Sequence, residues 1–279
     1  MREISAEKIT EVVKKLCIEA NCKLPKDVKA CIEKSCEAEP WQGAKNILGK
    51  IIENYNIAEA EHKPICQDTG AACVFLDIGQ DVHINGNLTD AINEGVRQGY
   101  CEGFLRKSIV ADPLNRVNTN DNTPAMIYYD IVEGDKVEIT LAPKGFGSEN
   151  MSRIKMLKPS DGVEGVMDFV VETVEKAGPN PCPPVVVGVG IGGTFDKCAY
   201  LAKKALLRDA QSQNPLPYYA ELENLLLEKI NALGIGPQGF GGRTTALAVN
   251  IEAMPTHIAG LPVAVNINCH VTRHVKEVI

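Results

Sequence analysis

Three of the chain's ten cysteines lie in settings that suit chemistry better than packing. Cys66, Cys182 and Cys269 each fall where an apolar, strand-like run meets a loop, within PICQDTG, NPCPPVV and INCHVTRH. Cys73 belongs to an apolar strand-like run, and Cys101 and Cys198 to amphipathic helix-like ones, so these three read as packing residues. Cys17/Cys22 and Cys31/Cys36 are each spaced by five residues. That is roughly 140° around a helix, which gives no shared metal face. Three thiolates on separate loops could hold zinc with a fourth ligand such as His270. They could equally hold three corners of a 4Fe–4S cluster, with one iron left open. Residue types alone leave both readings standing.

Glycine forms the second set of candidates: GFGSEN at 145–150, GVGIGG at 188–193 and GIGPQGFGGRTT at 234–245. Such segments let backbone amides close on an anion. Gly188, Gly190 and Gly193 also satisfy G-x-G-x-x-G, which raises a dinucleotide-dependent oxidoreductase as a rival. Against it, the acidic residue expected about 20 residues on, at the end of a second strand, is missing. That region, KKALLRDAQSQNPLPYY, reads as helix then loop. The net charge of −7 argues against nucleic acid, which needs a concentrated basic face. An anionic ligand must then be held by a few local cations and amides.

The elements that position these residues follow from periodicity. Residues 1–60 read as a helical front: Ile9, Val12, Val13, Leu16, Cys17 and Ala20 keep helical spacing, as do Ala44, Ile47, Leu48, Ile51, Ile52 and Tyr55. Residues 61–279 read as an α/β part. A strand is expected over Ala71–Ile78 and a helix over Thr89–Arg106. AMIYYDIV and KVEITLAP are expected to pair as a hairpin through Glu133-Gly134-Asp135. Ser160 or Asp161 should cap a helix ending at Gly178-Pro179. The run from Pro184 to Ile191 predicts a strand buried on both faces, followed by a helix from Thr194 and another over Tyr218–Leu233. TTALAVNIEA and LPVAVNIN add two strands. The fold class is α/β: a mixed single domain with a helical N-terminal part and a β-sheet core flanked by helices. No apolar run reaches the ~20 residues of a membrane span. The charged amphipathic start is unlike a signal peptide, so reduced thiols and a cytoplasmic setting are expected.

Together, KPICQDTG, LRKSIVADPLNRVNTNDNTPA, KGFGSENMSR, CPPVVVGVGIGGTFDK, GIGPQGFGGRTTALAVNIE, PTHIAGLPVAV and NCHVTRH resemble the α-type domain of the iron–sulfur (class I type) fumarate hydratase/tartrate dehydratase family. The resemblance runs in order from Cys66 to Arg273. It implies a 4Fe–4S cluster on Cys66, Cys182 and Cys269, whose open iron acts as a Lewis acid. It implies Gln67, Asp68, Arg106 and Gly147 as substrate contacts. Asp68 and His257 become catalytic candidates, with His257 contributed across an interface between α chains. Lys144, Arg153 and Arg243 remain unassigned cations. The chain ends at Ile279 with nothing resembling a β domain, so the resemblance implies the α subunit of a two-chain, α2β2 form. The expected activity is a carbon–oxygen lyase reaction of the tricarboxylic acid cycle, the interconversion of fumarate and (S)-malate; L-tartrate dehydration is the alternative.

Overall fold

The computed structural model describes residues 2–279. The chain begins with β1 (Arg2–Ser5), α1 (Ala6–Cys22), α2 (Lys26–Ala38), α3 (Gln42–Glu61), β2 (Ala71–Gly79) and β3 (Val82–Asn85). It continues through α4 (Leu88–Glu102), β4 (Met126–Val132), β5 (Val137–Lys144), α5 (Phe146–Glu149), β6 (Arg153–Leu157) and α6 (Gly162–Ala177). It closes with β7 (Val185–Gly193), α7 (Phe195–Ala205), α8 (Pro217–Ala232), β8 (Ala246–Thr256), β9 (Leu261–Asn268) and β10 (Val275–Val278). This is the mixed α/β class expected. The chain forms two compact units, 1–25 with 55–146 and 273–279, and 26–54 with 147–272. Among the described residues no helix is long and apolar enough to cross a membrane.

The first unit is built on a four-stranded sheet, ordered β10-β5-β2-β4. AMIYYDIV and KVEITLAP form β4 and β5, but they do not pair as a hairpin. β2 lies between them, parallel to β4 and antiparallel to β5. The reason is burial: β2 (AACVFLDIG) is almost entirely buried, whereas β4 is half-exposed along its length, so the more apolar strand takes the centre. Ile9, Val12, Val13 and Leu16 of α1 and Ile92, Val96 and Tyr100 of α4 share one core with Val74, Leu76, Ile139 and Leu141. Helix α4 ends at Glu102, a turn short of the expected Arg106, because Gly103 closes it. Cys101 is exposed and is not a packing residue.

The second unit carries the sheet β6-β9-β7-β8, with β7 parallel to β8 and antiparallel to β9. Strand β7 explains the run VVVGVGIGG by period two. Val185, Val187, Val189 and Ile191 enter the core with Phe169 and Val170 of α6 and Leu226 and Ile230 of α8. Gly188 and Gly190 face α7, where an added Cβ would fall 2.1 Å from the Ala202 carbonyl oxygen and 2.0 Å from that of Cys198. The glycines therefore let a helix lie against a strand, and the G-x-G pair sits inside β7 rather than in a phosphate-binding turn. Helix α6 ends at Gly178 as expected, but Asp161 does not cap it: its carboxylate accepts from Lys158 N in the preceding 3-10 turn.

Candidate active site

In the first unit, the residues expected to do chemistry share one tightly held loop, Cys66 to Gly70. The amide of Asp68 points at the Cys66 sulfur (3.4 Å). The Asp68 carboxylate accepts two backbone N–H bonds, from Gly70 at 3.0 Å and from Phe146 at 2.9 Å. Gly70 has a left-handed backbone (φ +73°) and abuts the Lys144 main chain at under 3 Å from a would-be Cβ, so no side chain fits there. Behind the loop, the fully buried Tyr100 donates its hydroxyl to the carbonyls of Thr69 (2.8 Å) and Gly70 (3.0 Å). Burial pushes the Tyr100 phenol well above its ordinary range, so it stays a neutral donor. Asn122, also buried, donates to the Gly70 carbonyl at 3.1 Å and accepts from Ser108 N at 2.7 Å. Thr69 donates to the Arg106 carbonyl (3.0 Å), and Arg273 donates to the Asp68 carbonyl (2.5 Å).

Arg106 therefore sits beside this loop, outside α4, on an exposed segment, with its backbone fixed through Thr69. Gln67 is exposed and Asp68 half-buried. Tyr100, Asn122 and Arg273 were not among the expected site residues. A buried Asn with positive φ inside the polar run NTNDNTP is the kind of signal that marks a loop anchor, and Asn122 has φ +66°.

In the second unit, the segments carrying Cys182 and Cys269 meet. The Cys182 carbonyl accepts from His270 N (3.4 Å) and lies 2.9 Å from His270 Nδ1, which acts as donor there. Cys182 is exposed and holds φ +55°, a strained conformation for any residue but glycine and one that clusters at functional loops. Gln238 ties the same loop down, through its backbone N–H to the Pro183 carbonyl (2.7 Å) and its side-chain amide to that carbonyl (2.9 Å). Gly147 belongs here: it is exposed, and a Cβ on it would come 3.8 Å from the Asn180 carbonyl. Glu149, two residues on, is anchored by Lys203 (2.6 Å) and Asn266 (2.8 Å).

His257 is elsewhere in this unit. It lies at the exposed turn joining β8 and β9, its Nδ1 accepting from Ala259 N at 3.2 Å. Strand β9, eight residues long, separates that turn from Cys269, a span of roughly 26 Å. Arg153 is engaged by Glu172 (3.5 Å) and the face of Phe169, which removes it from the free cations of the site.

None of the ten cysteines is in a disulfide. Cys17, Cys73 and Cys198 are buried, and burial pushes the Cys17 and Cys198 thiols up, holding them protonated. Cys66, Cys182 and Cys269 are open to solvent at least in part. Among the described residues no three His, Cys, Asp or Glu side chains form a ready metal-binding group. Taken unit by unit, the accessible loop thiols are of the kind a soft metal takes: Cys66 in the first, with an amide aimed at its sulfur, and Cys182 and Cys269 in the second.

Comparison with known proteins gives a match over residues 10–278 to the family described as Fumarate hydratase (Fumerase). A Methanocaldococcus jannaschii protein, provisionally named L(+)-tartrate dehydratase subunit alpha, is 47% identical over 273 residues, covering 95% of each chain. An L(+)-tartrate dehydratase subunit alpha of Escherichia coli strain UTI89 is 35% identical over 272 residues, covering 96% of this chain and 89% of its own.

Proposed function

The chain belongs to the fumarate hydratase (Fumerase) family, and we propose that it is the α subunit of a hydro-lyase that adds water to, or removes it from, a four-carbon dicarboxylate, with fumarate and (S)-malate as the pair. The observation that carries this reading is the Cys66–Gly70 loop, which places a thiol and a carboxylate on one backbone segment fixed at five points. Dehydration must expel hydroxide from one carbon and remove a weakly acidic proton from the next. A 4Fe–4S cluster on Cys66, Cys182 and Cys269 would supply an open iron as Lewis acid for the hydroxyl.

The remaining demands fall on this chain's own residues. Asp68 is the proton-transfer group. Its two N–H bonds aim the carboxylate, and each oxygen keeps a second lone pair for a proton. Arg106 clamps a substrate carboxylate with its planar fork. Gln67 and the Gly147 amide add neutral donors. His257, some 26 Å along the sheet from Cys269, acts on the site of a second copy rather than its own.

A β-type partner completes the enzyme, as the name "subunit alpha" of both relatives supports, in an α2β2 assembly. Those names also favour a second reading, dehydration of L(+)-tartrate. A dinucleotide-dependent oxidoreductase has no such support, since Gly188 and Gly190 are spent on the packing of α7. The test is anaerobic co-expression with the β-type partner, iron and sulfide analysis, and steady-state kinetics on fumarate, malate and L(+)-tartrate. Faster turnover of malate and fumarate is expected. Faster turnover of tartrate replaces the substrate, and no turnover of any of the three overturns the hydro-lyase reading.

A further inference from the structure

Arg273 is 3% exposed, and two of its donors, Nε and Nη1, are buried without a hydrogen-bond partner. Among the described residues only Nη2 has a partner, the Asp68 carbonyl at 2.5 Å. A buried guanidinium with most of its donors unspent is costly, because desolvation of the charge is left uncompensated. Its thiol and phenol neighbours do not supply the missing anion. Burial keeps the Tyr100 phenol protonated, and it pushes the neighbouring Cys22 thiol up despite the nearby arginine. Asn21, also fully buried, leaves its Oδ1 unpartnered as well. The Asp68 carboxylate is turned to Gly70 and Phe146. The arginine is held to one side of residue 68, while the amide of that residue serves the Cys66 sulfur.

From this we infer that Arg273 is the positioning residue of the Cys66–Asp68 segment, and that its unspent charge is balanced by the anionic cluster which this segment helps to carry in the working enzyme. The inference rests on the hydro-lyase reading for the identity of that anion, but not for the hold on the loop. Two separable roles follow. One is mechanical: the guanidinium sets the direction of the Asp68 peptide, hence of its carboxylate. The other is electrostatic: a cation buried beside a thiolate-ligated cluster favours its reduced form, since net charge and local dielectric tune cluster potentials.

The test uses the anaerobically reconstituted α–β complex, with Arg273→Gln and Arg273→Lys. Amide hydrogen exchange over residues 66–70 reads the mechanical role, with β9 as internal control. An EPR-monitored redox titration reads the electrostatic one. Arg273→Gln should speed exchange in the loop about tenfold or more, the scale of losing a charged hydrogen bond, and leave β9 unchanged. Its cluster potential should move negative, and kcat should fall about tenfold or more with little change in KM, since a misdirected Asp68 harms chemistry before binding. Arg273→Lys keeps the charge without the fork, so its potential should return to the wild-type value while loop exchange stays raised. Unchanged exchange over 66–70 in both variants overturns the positioning role. A potential unmoved in Arg273→Gln, with only a lower Tm, makes the arginine structural and overturns the charge role. If the wild-type complex itself takes up no cluster, the hydro-lyase reading falls, and the exchange comparison alone still decides the hold on the loop.

Discussion

Replacing Asp68 by Asn is the sharpest probe of the loop, because its two effects have different sizes and can be separated. Each carboxylate oxygen accepts one backbone N–H, Gly70 at 3.0 Å on Oδ1 and Phe146 at 2.9 Å on Oδ2. Asparagine can accept at one of these positions only, and its NH2 then faces the other N–H. One charge-assisted bond is lost and two donors confront each other, a cost of about 2 kcal/mol. For a chain of this size that lowers Tm by roughly 4–8 °C. If Asp68 moves a proton, kcat falls in addition by roughly 10²-fold or more. Phe146→Pro separates the two. Phe146 is the first residue of α5, where proline is tolerated, and the change deletes the N–H on Oδ2 while leaving the carboxylate. The expected result is a comparable loss of Tm in both variants and a large loss of kcat in Asp68→Asn alone. The assay is thermal unfolding beside steady-state kinetics on the assembled complex, with iron content checked. Near-normal kcat for Asp68→Asn with a full cluster would remove Asp68 from the mechanism and move proton transfer to the β-type partner. Equal kcat losses in both variants would make Asp68 a loop anchor only.

Anaerobically prepared protein should carry about four irons and four sulfides per chain. Serine at Cys66, Cys182 or Cys269 should abolish the visible absorbance, whereas serine at buried Cys73 or Cys198 should keep it; retention in all five rejects the ligand set. Air should remove iron and activity together, with restoration by iron and thiol under reducing conditions, and activity that survives prolonged aeration argues against an open iron. Arg106→Lys should raise the apparent KM for dicarboxylate more than it lowers kcat, since it keeps the charge and loses the fork; an unchanged KM takes Arg106 out of binding. Gly190→Ala should cost about 3 kcal/mol in denaturant unfolding, because its methyl meets the Cys198 carbonyl oxygen at 2.0 Å, and wild-type stability would contradict the close strand–helix approach.

Much of the fold was legible because burial writes itself into sequence period. The run VVVGVGI announced a two-faced strand, and β7 has valine toward one helix layer and glycine toward the other. What failed was pairing, which period does not encode. β4 and β5 are adjacent in sequence with a turn between them, yet β2 separates them because it buries more apolar surface on both faces. The four-residue strands β1, β3 and β10 were missed for a related reason. They are too short to show an alternation and gain their hydrogen bonds from partners distant in sequence.

The site divides along a different line. The residues proposed to touch ligands are conspicuous because their types are unusual for where they stand: a cysteine, an aspartate and an arginine in loops that need none of them for packing. Residues that hold those loops still are not conspicuous, because their work is done by direction rather than by type. Tyr100 reads as a core aromatic on α4 and is one, with its ring in the core shared by α1 and β5. Only its hydroxyl, bonded to two successive carbonyls of the Thr69–Gly70 turn, belongs to the site. Gln238 looks like one polar residue in a glycine-rich loop, yet with φ +55° it delivers both backbone and side chain to Pro183, next to Cys182. Asp68 shows why the two classes overlap. The sequence marks it as a catalytic candidate, and the structure also makes it a turn former through Gly70 N while leaving lone pairs on both oxygens. A carboxylate that builds its own loop is aimed by the same bonds that build it. Anchoring at residue 68 is therefore built into the same two bonds that direct its carboxylate, so the Asn and Phe146→Pro variants together separate the charge of that residue from its place in the loop.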